Sequence, residues 1–222
     1  MKIRILYEDD ELIAVHKPAG MTIYPEAGAG ADVQTQLKQR FRGAILPVHR
    51  LDRGTCGIVV FAREVQWAQK LQRLFLKRQT AKVYWAVVGG EWEGGARTLR
   101  EPLRSKEGEE QSAVTRVRPR GVYRAKPDFS ASWLEIEPET GRFHQIRKHL
   151  KGVGSPILGD PQYGKKPWNE WVARHWRVSR PLLSAVGLEF QHPRTLRPLR
   201  LESQPDPDFL RALQLFEMIQ IN

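Results

Sequence analysis

A polar loop that runs directly into an apolar strand carries the most reactive side chains of the sequence. Residues 46–57 read LPVHRLDRGTCG, and the apolar run Ile58–Phe61 follows at once. Arg50 and Arg53 flank Asp52, and nearby positive charge lowers the pKa of a carboxyl group and keeps it ionised. An ionised carboxylate can act as a nucleophile or as a general base. The alternative is a surface loop whose exposed ion pairs contribute little.

A second segment, ETGRFHQIRKHL at residues 139–150, predicts a basic helix over residues 143–151. On such a helix Phe143, Ile146 and Leu150 share one face, which we expect to pack inward. His144 and Arg147 then form an adjacent face. An arginine beside a histidine is suited to holding a carboxylate or phosphate, because the guanidinium binds such groups through two parallel hydrogen bonds. The alternative is a solvated basic helix face.

The composition indicates a partner of opposite charge. The 222 residues include 36 Lys+Arg against 25 Asp+Glu, a net charge of +11, and such a field attracts polyanions, most often nucleic acid. Cys56 is the single cysteine, so neither an internal disulfide nor a multi-thiolate metal site is expected. We expect no metal and no cofactor. Without a signal peptide or a membrane-length apolar run, a cytoplasmic location without membrane contact is the default, and a monomer suffices.

Strand and helix patterns are interleaved along the chain, which favours an α+β fold. The residues Trp67, Leu71, Leu74 and Phe75 fall at helical spacing and predict one core-facing side. Strands are predicted at 3–7 and 12–15, as a hairpin, and at 58–61, 82–88, 130–137 and 182–190. Helices are predicted at 32–41, 64–78, 143–151 and 209–219, and residues 89–126 read as mixed.

Several of these segments, in this order, resemble the RluA-type pseudouridine synthase family. HRLD-R-x-T-x-G and TGR-x-HQIR-x-HL carry the resemblance. The stretch ILYEDDELIAVHKPAGM precedes them, KVYWA lies between them, and PILGDPQYG follows. The resemblance implies a pseudouridine-synthase fold, a mixed and largely antiparallel central sheet flanked by helices, with a central RNA-binding cleft. It also implies one catalytic domain over residues 1–222, with two lobes and without an appended N-terminal RNA-binding domain.

The resemblance also implies an activity and its residues. The enzyme would flip a uridine out of folded transfer RNA or ribosomal RNA and isomerise it to pseudouridine, since the base must leave the stack to be reached. Asp52 is the implied catalytic aspartate and attacks the sugar or the base. Tyr84 would pack on the target base, and Arg147 would pair with Asp52 and keep it charged.

RNA contacts are expected from six basic side chains: Arg50, Arg53, Arg142, His144, Lys165 and Lys166. Residues 164–181 also contain three tryptophans among basic residues, a pattern that suits phosphate pairing and base stacking. The alternative is that these tryptophans are simply buried. We expect structural roles for His144 and His49, with His49 fixing its loop.

Two positions depart from the family pattern, and two other functions remain open. Cys56 stands where many relatives have serine, and Ser184 where many have histidine. A non-catalytic RNA-binding protein on the same fold is the first alternative. A glycoside hydrolase is the second, but it requires a paired carboxylate, and no second acidic residue is associated with either motif.

Overall fold

The computed structural model describes residues 3–28, 30–125 and 129–218, with side chains to residue 216. The chain divides into two compact units. Unit 1 comprises Met1–Lys82 and Ala185–Asp206, and unit 2 comprises Val83–Ser184 and Pro207–Asn222.

Regular elements cover most of both units. The N-terminal part of unit 1 contains β1 (Arg4–Glu8), β2 (Leu12–Lys17), α1 (Val33–Arg40), β3 (Leu46–Pro47), β4 (Cys56–Ala62) and α2 (Val65–Leu76). The middle of the chain contains β5 (Ala81–Gly89), β6 (Arg97–Leu99), β7 (Leu103–Arg104), β8 (Glu110–Gln111), β9 (Thr115–Ala125), β10 (Phe129–Pro138), α3 (Gln145–Gly152) and α4 (Lys166–His175). The remainder contains β11 (Leu183–Gln191), β12 (Pro198–Glu202), α5 (Pro207–Leu213) and β13 (Glu217–Met218).

The sheet of unit 1 is built on the N-terminal hairpin. The strands run in the order β1-β2-β4-β11, with β3 also on β4 and β12 on β11. Asp9 closes the hairpin turn, because its Oδ1 accepts the backbone N–H groups of Glu11 and Leu12 at 2.9 Å each. The hairpin predicted from the sequence is confirmed, and its second strand, β2, is buried along its whole length.

Helix α2 covers the core of unit 1 with the predicted face. Leu71 is fully buried, and Trp67, Leu74 and Phe75 pack against the cluster that contains the alternate β4 residues. Helix α1 begins at Val33 because the Asp32 side chain caps it, accepting the N–H of Thr35 at 2.8 Å. The predicted α1 and α2 are therefore confirmed to within a few residues at their ends.

In unit 2 the strands run in the order β5-β10-β9-β13, with β6 also on β9. The β10–β5 and β10–β9 pairings are antiparallel, and the second contains a bulge at Trp133/Leu134. Helix α3 packs on this sheet through Ile146 and Leu150, which join one hydrophobic cluster with strand residues. The fold is α+β, as the sequence predicts.

The tryptophans of residues 164–181 belong to the core of unit 2. Trp171 stacks on Phe129 with ring centroids 3.8 Å apart, and Trp176 is buried. Trp168 packs against the backbone of Gly89, where an added Cβ would lie 2.0 Å from the indole ring. The buried alternative therefore holds for Trp176, while Trp168 and Trp171 are partly buried against the same core. Both of these lie on α4, which the sequence patterns did not predict.

The closing helix is shorter than predicted. Helix α5 ends at Leu213 and the chain then forms β13, so the predicted helix over 209–219 is wrong beyond Leu213, and Ile219 lies outside the described residues. Phe216 is buried among the aromatic rings of unit 2, and Glu217 pairs with Val122 of β9. Tertiary packing and strand pairing override the helical periodicity here.

Candidate active site

The Asp52 loop is fixed to the rest of unit 1 at its exit. The loop turns at Asp52, whose carbonyl oxygen accepts the N–H of Thr55 at 3.0 Å. It then enters β4 through Gly57, which has φ +120° and lies where an added Cβ would approach the Ala185 carbonyl oxygen to 2.2 Å. Only glycine fits this close approach. The half-buried Asp52 side chain is therefore held on a rigid support.

Lys17 ties the Asp52 loop to the turn after β2. Its fully buried ammonium group donates to the carbonyl oxygens of Pro18 at 3.1 Å, Met21 at 2.9 Å and Arg53 at 3.2 Å. Gly20 and Arg53 add two more bonds, from Gly20 N to Arg53 O and from Arg53 Nε to Gly20 O. Sequence reasoning did not identify Lys17 as a site residue. The signal was a lysine that follows the apolar run Leu12–Val15 after a single histidine.

His49 fixes the other side of the loop as a neutral ring. Its Nε2 accepts the N–H of Val60 at 3.1 Å, and its ring stacks on Phe75 with centroids 4.5 Å apart. Desolvation, and then the charge of Lys82, lower the pKa of His49 to about 3. Desolvation and the charge of Arg78 in turn lower the pKa of Lys82 to about 8. A histidine held neutral in this way serves the structure of the loop.

Unit 2 places Arg147 in a buried ion pair that the sequence did not predict. Arg147 Nε and Nη2 donate to the two carboxylate oxygens of Asp160 at 2.7 and 2.9 Å. Asp160 is fully buried and also accepts the N–H groups of Gln162 and Tyr163. Burial alone would raise the pKa of Asp160, but the bonds from Arg147 and the two amides, with the Arg147 charge, lower it overall. Asp160 is thus an anionic anchor for Arg147.

The expectation that no second acidic residue is associated with either motif is therefore wrong for the second motif. Asp160 lies in the stretch PILGDPQYG and reaches Arg147 only through the fold. The Asp160 carboxylate is paired with the Arg147 guanidinium. The same guanidinium lies 4.9 Å from the Tyr163 ring centroid. The Tyr163 hydroxyl in turn bonds His144 Nδ1 at 3.0 Å. The Asp160 carboxylate and the Tyr163 ring therefore hold Arg147 in one orientation.

The remaining motif residues start α3 and anchor it. The Gln145 side chain accepts from the Thr140 hydroxyl at 2.6 Å and from the Arg142 N–H at 3.0 Å, and it donates to the Val114 carbonyl and the Thr115 hydroxyl. The helix therefore begins at Gln145. The preceding His144 is left-handed at φ 55°, outside the helix. The predicted inward packing of Phe143 is wrong for this reason, since its side chain is 36% exposed.

The structure groups the predicted site residues by unit. In unit 1, Arg50 and Arg53 are exposed beside Asp52, and Arg50 donates to the Tyr24 hydroxyl at 2.9 Å. In unit 2, the half-buried Tyr84 on β5 packs against the same cluster as the α3 residues Ile146 and Leu150.

The other predicted RNA contacts also lie in unit 2. Arg142 donates to the Ser112 carbonyl at 3.1 Å. Lys165 and Lys166 are exposed at the start of α4, where the Lys165 ammonium lies 4.2 Å from the Trp168 ring centroid.

Comparison with known proteins identifies the family. A family model described as RNA pseudouridylate synthase matches residues 11–151. The chain belongs to this family. It is 33% identical to the tRNA pseudouridine synthase C of Vibrio cholerae, over 92% of this chain and 91% of that protein. It is 32% identical to the ribosomal large subunit pseudouridine synthase C of Vibrio vulnificus, over 95% of this chain and 68% of that protein.

Solved structures agree on the fold of this pseudouridine synthase. Human RNA Pseudouridylate Synthase Domain Containing 4 superposes with a TM-score of 0.79 at 24% identity, covering 99% of this chain and 95% of that one. Human RNA Pseudouridylate Synthase Domain Containing 1 gives 0.78, also at 24% identity, covering 100% of this chain and 90% of that one. The family resemblance and the pseudouridine-synthase fold are confirmed.

As a member of this family, the protein is an isomerase that converts uridine to pseudouridine in RNA. Family membership does not favour the non-catalytic RNA-binding alternative. No helix among the described residues is long and apolar enough to cross a membrane.

Two clusters in the described part of this pseudouridine synthase bring three potential metal ligands within 4.8 Å of one another. They are His16 with Cys56 and Asp206, and Asp9 with Glu11 and His192. Both are joined by hydrogen bonds, with His16 Nε2 at 2.7 Å from Asp206 and His192 Nε2 at 2.8 Å from Asp9. A metal would have to displace these bonds, and the expectation of a metal-free enzyme stays a prediction.

Proposed function

We propose that this pseudouridine synthase isomerises uridine in transfer RNA or ribosomal RNA with Asp52, Tyr84 and Arg147 as its catalytic residues. Asp52 is the attacking group, Tyr84 packs on the flipped base, and Arg147 keeps Asp52 ionised. The observation that carries the proposal is the fixation of the Asp52 loop by the buried ammonium group of Lys17. A reacting carboxylate gains most from such fixation, because small displacements cost large factors in rate.

The reaction sets clear demands on these side chains. The N1–C1′ bond of uridine breaks, the uracil turns, and a C5–C1′ bond forms. C5 then loses its proton to solvent and N1 takes up a proton, so that the product is an isomer of the substrate. A flipped base needs a flat apolar surface in place of its lost stacking neighbours, and a tyrosine ring supplies one. A carboxylate taken out of water tends to protonate, and an adjacent guanidinium opposes that change.

Asp160 gives Arg147 a fixed orientation for this role. A guanidinium with two of its nitrogens bound to a buried carboxylate cannot rotate without breaking both bonds. We therefore propose Asp160 as a positioning residue that acts through Arg147.

The substrate class is proposed from charge and from relatives of both kinds. A net charge of +11 supports a polyanionic substrate, and Arg50, Arg53, Arg142, His144, Lys165 and Lys166 are the proposed contacts. Relatives named for transfer RNA and for the large ribosomal subunit are about equally similar to this chain, at 33% and 32% identity. Transfer RNA and ribosomal RNA are therefore the two candidate substrates.

The experiment is tritium release from RNA labelled at uracil C5, since forming the C5–C1′ bond expels that hydrogen. Total transfer RNA and ribosomal RNA are prepared from cells lacking the protein. Release from one pool, abolished in Asp52→Asn, is expected and names the substrate class. Because the carboxylate does chemistry more than binding, Asp52→Asn should keep its RNA affinity within several-fold of wild type. An active Asp52→Asn variant would refute the assignment of Asp52.

We keep four further expectations. Residues 1–222 form one catalytic domain, the protein is a monomer, it acts in the cytoplasm, and it needs no metal or cofactor. Size-exclusion chromatography, cell fractionation and activity after dialysis against a chelator test the last three in turn.

A further inference from the structure

Two residues before α3, an aromatic ring is exposed to solvent close to two lysines. Of the large hydrophobic side chains exposed in the described residues, Phe143 is the one aromatic, with 36% of its surface accessible. Its ring stacks on His144 with centroids 3.7 Å apart at 24°. The ammonium groups of Lys106 and Lys148 lie 4.6 and 5.2 Å from its centroid. We call Phe143, His144, Lys106 and Lys148 the Phe143 platform.

The platform is held in place by the fold. His144 has the left-handed conformation at φ 55°, which takes Phe143 out of the helical period, and its Nδ1 bonds the Tyr163 hydroxyl. Lys148 Nζ donates to the Arg104 carbonyl at 2.7 Å, and Lys106 lies in the β7–β8 turn. A left-handed conformation costs energy in a non-glycine residue and persists where its surroundings require it. An exposed ring held in this way suits a binding surface.

We infer that the Phe143 platform binds a nucleobase of the substrate RNA next to the target uridine. The inference rests on the proposed function and adds a second stacking site to that of Tyr84. Phe143 lies two residues before the helix that carries Arg147, so the platform lies near one end of the proposed catalytic machinery in unit 2. A target uridine can be flipped more easily when its neighbour is held by a stacking partner of its own.

The lysines do not block such stacking. A lysine above an exposed ring contributes less than a stacked base does, so an incoming base can displace it. The displaced ammonium group then lies close to the phosphates on either side of that base. Three exposed glutamates, Glu107, Glu109 and Glu110, share the hairpin with Lys106 and limit the local positive charge. Stacking on Phe143, more than phosphate attraction, should therefore supply the affinity.

The test compares Phe143→Leu, which keeps an apolar side chain but removes the ring, with Phe143→Tyr, which keeps the ring. Leu76→Ala, at a side chain 82% exposed on α2, is the control. For Phe143→Leu we expect KM to rise about tenfold, the equivalent of ~1.4 kcal/mol, with kcat within about twofold. Phe143→Tyr and the control should match wild type. An unchanged KM in Phe143→Leu, or a loss confined to kcat, would overturn the inference.

The stacked nucleotide is identified with stem-loop RNAs that carry the target uridine and one abasic site at a flanking position. At one position the abasic site should raise KM for wild type but have little further effect in Phe143→Leu. Equal abasic effects in both proteins at every position would contradict the platform. If wild type releases no tritium at all, the proposed function fails separately. Dissociation constants for labelled total transfer RNA then decide the platform, through the same variants.

Discussion

At the level of single residues, a buried carboxylate orients the cation on which the proposed chemistry depends. The two-bond pairing of Arg147 with Asp160 removes both charges from water, and such a pair is costly to break because one charge stays buried without its partner. The same two residues therefore contribute to stability and to the proposed activity. Substitutions at Asp160 should affect both quantities.

Asp160→Asn should lower the free energy of unfolding by about 3–5 kcal/mol and reduce kcat by about 10- to 100-fold with little change in KM. Asp208→Asn, which removes a more exposed ion pair with Arg180 in the same unit, is the control and should leave kcat unchanged.

The pKa of Asp160 is lowered in the folded state, so its contribution to the free energy of unfolding is complete above the unfolded pKa of ~4. It is lost as the pH falls through the lower folded pKa. Urea unfolding of wild type and Asp160→Asn should converge at acid pH, and a pH-independent difference would contradict this assignment.

His49 should make the protein less stable in mild acid. Its pKa is about 3 in the folded state and near ~6.5 when unfolded, so between these values the unfolded chain binds more protons. Stability is therefore complete above pH ~6.5 and declines, by up to a few kcal/mol, as the pH falls toward 3. Urea unfolding at pH 7 and pH 5 should show this slope in wild type and a smaller one in His49→Phe. Equal slopes would mean that His49 does not titrate on unfolding.

At the level of elements, a side chain at the end of β2 joins two short segments, one of which is the Asp52 loop. The turn after β2 and the loop before β4 are joined by Lys17, whose three carbonyl partners come from both segments. Buried carbonyl groups need donors, and a single ammonium group provides three. The geometry of the loop therefore depends on one side chain outside it.

Lys17→Met should lower the free energy of unfolding by about 3 kcal/mol, because the buried carbonyls lose a charged donor. It should also reduce kcat by more than its effect on RNA affinity, since Asp52 moves. Lys38→Met, at an exposed position on α1, is the matched control. Stability and kcat are measured by urea unfolding and tritium release, and a Lys17→Met variant with wild-type kcat would remove Lys17 from the support of the loop.

At the level of the whole molecule, the net charge favours a polyanionic partner. The excess of basic residues gives +11, and release of counterions from RNA makes binding depend on salt. Lys165 and Lys166 contribute to this positive charge and are exposed at the start of α4. The tryptophans of α4 pack against the core of unit 2.

Reversing both charges, Lys165→Glu with Lys166→Glu, should weaken RNA binding and reduce the slope of log affinity against log salt by about one to two. The control is Lys38→Glu with Arg40→Glu, which changes the net charge equally at another exposed site. Filter binding over a range of salt concentrations measures both. Identical slopes for the two double variants would show that Lys165 and Lys166 make no phosphate contact of their own.

The sequence alone determined the family and the α+β fold, and it supplied the proposed catalytic residues through the family resemblance. The fold follows from local patterns, namely helices and strands with clear periodicity such as α2 and β4. The family, and with it the proposed roles of Asp52, Tyr84 and Arg147, follows from several motifs in the order found in pseudouridine synthases. Chemistry requires particular functional groups, and the residues that carry them can be read directly from the sequence.

The tertiary structure decided which partners those residues have. Three contacts show this: Asp160 pairs with Arg147, Lys17 binds the Asp52 loop, and Trp171 and Trp176 pack into the aromatic core of unit 2. Local periodicity cannot indicate any of these contacts. The exposure of Phe143 likewise depends on where the side chain of Gln145 finds its hydrogen bonds. Hydrogen bonding and packing between distant segments form only when the chain is folded, and they override local propensity wherever buried groups must be satisfied.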